Sequence, residues 1–127
     1  MEREFVRPAR PTLEEIRHYL RGAPFANWAD RARSFAVAET LKPKDHKEYL
    51  RTLLYPGRLY YSWMTGLMGS NDEAVAFLNQ RHPVRLDINL IARALQCRQT
   101  AADPGALFAA RTMLLSQIDA CAALFAG

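Results

Sequence analysis

R-T-L-L-Y-P-G-R-L-Y-Y-S-W-M-T-G-L-M-G, residues Arg51 to Gly69, decides how the rest of this chain is read. Leu53, Leu54, Tyr60, Trp63, Met64 and Leu67 recur close to the 3.6-residue period, so the stretch predicts a helix with one broad apolar face. Tyr49 and Leu50 extend the pattern back to Asp45, a residue type suited to capping a helix. The result is a central helix over about residues 45–68, which would span roughly 36 Å. Pro56 has no N–H, so the Thr52 carbonyl loses its helical partner and the axis should kink at Pro56-Gly57, with a helix boundary there as the alternative. Gly57 should weaken the same turn by about 1 kcal/mol relative to Ala. One arginine, Arg58, sits amid this apolar and aromatic surface.

Working outward from that helix, the flanks read as further helices. Thr12-Leu13-Glu14-Glu15 predicts a reciprocal capping box, and Leu13, Ile16, Tyr19 and Leu20 follow at helical spacing. Gly22 suits a left-handed helix end. Pro24-Phe25-Ala26-Asn27 reads as a connection, and a second helix follows to about Leu41, stopped by Lys42-Pro43. Ser70-Asn71-Asp72-Glu73 predicts a second capping box opening a helix over 72–80, broken by Arg81-His82-Pro83. Leu86, Leu90, Ile91, Ala94 and Leu95 predict a helix ending near Arg98. Asp103-Pro104 is the start signature of a last, Ala- and Leu-rich helix to about Phe125. Its charges are Arg111 and Asp119 alone, which implies burial on more than one face, in the bundle or against a partner. No stretch alternates as a strand does. The expected fold is all-α: one domain over residues 12–127, a bundle of about five or six helices, with residues 1–11 an extended lead-in.

Composition narrows the function. A chain of 127 residues is one domain, long enough to bury roughly two thirds of its unfolded surface. The formal net charge is +4, with no run of like charge, so nucleic acid is not the expected partner. Cys97 and Cys121 have no metal-ligand spacing and read as buried thiols of a reduced, cytoplasmic protein. No stretch has the length and apolarity of a signal peptide or membrane span. His18, His46 and His82 are isolated, so no metal site is expected. Gly66-Leu67-Met68-Gly69-Ser70 follows a helix rather than a strand and is not a phosphate loop. No nucleophile elbow and no paired carboxylates suited to two-metal chemistry are present, so no catalytic residue is assigned. Aromatics at helical spacing read as core rather than as a base-stacking platform.

Leu54, Arg58-Leu59, Tyr61-Ser62, Thr65-Gly66, Asp72, Ala74, Phe77 and Arg81-His82-Pro83 carry a resemblance. In this order and spacing they resemble the C-terminal helical domain of the aminoglycoside (streptomycin/spectinomycin) adenylyltransferases. The resemblance runs without gaps from Leu54 to Pro83, and the helix order on both sides fits it. It implies that Arg58 faces nucleotide phosphates and that Glu48, with Asp45 and Tyr61 nearby, lies at the substrate cleft. It also implies that ATP and Mg²⁺ are engaged only when a nucleotidyltransferase domain, in the same or an adjacent gene, is the partner. The chain departs from the pattern at Asn71, where a basic residue is expected, and at Phe77, where tryptophan is. It contains no Asp-x-Asp. The expectation is therefore an accessory or substrate-binding domain, not an enzyme by itself. A stand-alone helical protein that self-associates through its last helix, without a ligand, is the alternative. For Arg58 the alternative is a stem packed on aromatics and a guanidinium that caps a carbonyl or pairs with an acid.

Overall fold

The computed structural model describes residues 10–126. Six helices of eight residues or more form one compact all-helical domain, with no strand among the described residues. They are α1 (Leu13–Leu20), α2 (Ala23–Val37), α3 (His46–Thr65), α4 (Asn71–Arg81), α5 (Ile88–Thr100) and α7 (Met113–Ala126), with a four-residue α6 (Gly105–Phe108) before the last. Of the lead-in expected over residues 1–11, residues 1–9 lie outside the described residues, and Arg10 and Pro11 precede α1 without helix.

Helix α3 is the axis of the bundle and packs against α1, α2, α4, α5 and α7. Eleven of its residues are buried, among them Tyr49, Leu53, Leu54, Leu59, Tyr60 and Trp63. At about 1.5–3 kcal/mol for each large apolar side chain, this one element supplies a large share of the hydrophobic stabilisation. The axis is bent by 35° where Pro56 interrupts the ladder. The carbonyl that Pro56 leaves without a helical donor is not orphaned: the Trp28 indole N–H donates to Thr52 O at 2.9 Å. The same bond fastens α2 to α3. Gly57 has a second role, since a Cβ there would lie 3.1 Å from Leu78 Cδ1 and 3.3 Å from Ile91 Cγ2. Its bare backbone lets α4 and α5 approach α3 closely.

Several boundaries differ from the sequence expectation. Helix α3 ends at Thr65 rather than Met68, because Gly66 takes the left-handed conformation at φ 72° and closes the helix. Asp45 occupies the N-cap position of α3 but its side chain makes no capping hydrogen bond; a 3₁₀ turn, Pro43–Asp45, leads in instead. Gly22 is not left-handed (φ −92°) and directly precedes α2. Pro24 thus lies in the first turn of α2, where its missing N–H costs nothing, and the expected connection is helical. That helix stops at Val37, short of Leu41. The Thr12 cap is one-sided: Glu15 N donates to Thr12 Oγ1 at 3.1 Å, and the hydroxyl itself donates to the Glu15 carboxylate. At Ser70 both halves of the box form, each at 3.1 Å.

The expected last helix is two pieces. Asp103 Oδ1 accepts from Gly105 N at 2.8 Å and starts α6, which stops after Phe108. Ala110, Arg111, Met113 and Leu114 then donate to carbonyls three residues back, the tighter 3₁₀ pattern. The break has a tertiary cause. The buried Tyr49 hydroxyl donates to Leu107 O at 2.8 Å, and Phe108 packs edge-on against the Tyr49 ring at 5.3 Å.

Candidate functional site

On α3 the residues at i, i+4 and i+7 share a face, and from Arg51 these are Tyr55 and Arg58. The face looks into a groove of about 520 Å³ between α1–α2 and α3, the start of α4 and the end of α5. Four arginines line it: Arg31 from α2, Arg51 and Arg58 from α3, and Arg98 from α5. Among the described residues no carboxylate does. Three aromatic residues line it: Trp28 and Tyr55, stacked with ring centroids 4.8 Å apart and planes at 20° and with Trp28 buried, and the exposed Tyr19. A second, adjoining hollow of about 410 Å³ shares Arg58, Asn71 and Arg98 with the first.

The charges divide into two groups. Glu48 holds Arg31 at 2.8 Å and approaches Arg51 at 3.8 Å, so its carboxylate is committed to two arginines at one end of the groove. Arg58 and Arg98 have no ion pair among the described residues, and Arg58 is exposed. Two polar atoms of the lining residues, the Tyr55 hydroxyl and Asn71 Oδ1, are buried without a hydrogen-bond partner. Such atoms are scarce in folded proteins and cost about 1–3 kcal/mol each. Burial, and then the proximity of Cys121 and Tyr19, pushes the Tyr55 phenol above its ordinary value, so it remains a neutral hydroxyl at physiological pH.

Of the residues singled out in the sequence, Arg58 lies in this groove and Glu48 at its edge, bonded to one of its lining arginines. Tyr61 lies in the neighbouring groove of about 680 Å³, beneath α1, with its ring against Gly69 and edge-on to Phe77 at 5.4 Å. Asp45 is at the far end of α3, roughly 20 Å of helix from Arg58, and lines neither hollow. The four are not brought to one cleft. The structure adds Arg31, Arg51, Arg98, Trp28 and Tyr55. The Arg51–Tyr55–Arg58 spacing was a signal available within α3; Arg98, which comes from another helix, has none. Asn71 has no basic side chain, yet Arg98 reaches the same hollow.

Among the described residues no three His, Cys, Asp or Glu side chains come together as metal ligands. Among the described residues no helix is long and apolar enough to cross a membrane. No family model, curated protein or solved structure matches the chain. The case for function therefore rests on the groove and on the residues quoted above.

Proposed function

We propose that this chain is an accessory or substrate-binding helical domain related to the nucleotidyltransferases, not catalytic alone, which presents its arginine-lined groove to the phosphate side of a nucleotide. The observation that carries this is Arg58: among the described residues it has no ion pair, in a groove lined by three further arginines and no carboxylate, beside the Trp28–Tyr55 stack. Arginine forks bind phosphate oxygens bidentately, and the exposed ring of Tyr19 in the same lining can stack on a base. On this reading ATP and Mg²⁺ are shared with a nucleotidyltransferase domain that supplies the acidic metal ligands. A cationic antibiotic does not fit the groove itself, which four arginines line and where Glu48, at its edge, is already paired with Arg31.

The second reading, a protein that self-associates through its last helix without a ligand, draws on that helix's exposed apolar side chains: Met113 and Leu115 are 41% and 47% exposed. Thermal-shift titration separates the two. The proposal expects ATP to raise the melting temperature. At a hundredfold excess over Kd, the linkage of about 2.7 kcal/mol corresponds to several degrees for a domain of this size. It expects no rise with an aminoglycoside. The absence of a shift with any nucleotide, with or without Mg²⁺, together with a concentration-dependent dimer, favours the second reading.

A further inference from the structure

We infer that Arg58 and Arg98, on two different helices, form a two-pronged seat for a single polyphosphate-type anion at the junction of the two hollows. The inference rests on the nucleotide reading above for its biological context, but its geometry does not.

Arg58, Asn71 and Arg98 are common to both hollows, so the two guanidinium-bearing side chains border one shared space. Neither arginine has a carboxylate within ion-pair distance among the described residues. Both arginines are exposed, so each guanidinium is open to an anion in the space they border. Asp72, the one acid lining the smaller hollow, accepts a hydrogen bond from Gln99 Nε2 at 2.8 Å. Asn71 opens α4, whose first turn carries Asp72 and Glu73, so the positive charge of the seat comes from the two arginines and not from the helix end.

Size and charge select the ligand class. Hollows of about 520 and 410 Å³ suit a small molecule rather than an extended strand. Two arginines bordering one space call for an anion with two or more charges and several oxygens, which a diphosphate supplies and a single carboxylate does not. The diphosphate can be free or part of a nucleotide.

Calorimetric titration of the full chain with inorganic pyrophosphate tests this, using the parent protein, Arg58→Gln, Arg98→Gln and Arg93→Gln. Arg93 is exposed on α5 and lines neither hollow, so it controls for net charge. Loss of one charged hydrogen-bonding fork predicts about tenfold weaker binding or more for Arg58→Gln and Arg98→Gln. Arg93→Gln is expected to stay within about twofold of the parent, as a residue beyond direct contact should. Parent-like binding by Arg98→Gln, an equal loss in Arg93→Gln, or no pyrophosphate binding by the parent overturns the inference. A parallel titration with ATP separates it from the nucleotide reading. Pyrophosphate binding that depends on Arg98, with ATP binding no tighter than pyrophosphate, supports the seat and removes the base-stacking part of the proposed function.

Discussion

Gly57 illustrates how a residue that looks like a weakness in isolation is fixed by its neighbours. Alanine at an exposed helix position would stabilise by about 1 kcal/mol. At Gly57 the new methyl would press on Leu78 and Ile91, which are 0% and 1% exposed and have little room to move. Overpacking of this kind costs about 1–3 kcal/mol. Gly57→Ala should therefore lower stability by about 1 kcal/mol in urea denaturation, where a gain would contradict the packing described. Tyr49 is a second case. Burial outweighs the nearby Arg111 and pushes its phenol from about 10 to about 12. The folded state thus holds this proton more tightly than the unfolded chain. The associated stability is complete below pH 10 and is lost as pH rises toward 12. Tyr55 is shifted in the same direction. Tyr49→Phe should be less stable at neutral pH by about 1–2 kcal/mol, through loss of the hydroxyl bond to Leu107 O. Its stability should also fall less steeply than the parent's between pH 10 and 12. Parallel pH profiles would show that this phenol is not held as described.

At the scale of the element, the bent helix α3 and the broken last helix show where local pattern ends and tertiary contact begins. The bend was legible, because Pro56 must remove one ladder bond whatever surrounds it. The partner that replaces that bond was not, because Trp28 lies on another helix and no spacing links it to Thr52. This pairing makes a definite prediction. Trp28→Phe leaves the Thr52 carbonyl buried without a donor and should cost about 1–3 kcal/mol beyond the volume lost. In a Pro56→Ala background the restored N–H can take that carbonyl, so the same substitution should cost about 1 kcal/mol less. A double-mutant cycle in chemical denaturation measures the difference, and strict additivity would contradict the proposed exchange of donors. The split of the last helix was hidden for a similar reason. An Ala- and Leu-rich run continues as helix by propensity, and only the Tyr49 hydroxyl at Leu107 and the docking of Phe108 explain why it stops.

For the whole molecule, the all-helical class and the central place of α3 could be read in advance, since both follow from apolar periodicity along single segments. The groove is assembled from α2, α3 and α5 around the start of α4. Arg58 was visible because it interrupts an apolar run, whereas Arg98 is one arginine among several at the end of an ordinary amphipathic helix. Glu48, read as an acid at a substrate cleft, is bonded to Arg31 and helps to position it. What the assembly creates is a cationic recess with an aromatic wall, and the central claim is that it holds the phosphates of a nucleotide. Equilibrium binding of ATP at low salt, compared between the parent and Arg58→Gln, tests that claim most directly. The account predicts saturable binding by the parent and at least about tenfold weaker binding by the variant. ATP affinity that is absent from the parent, or unchanged by removing Arg58, would contradict it.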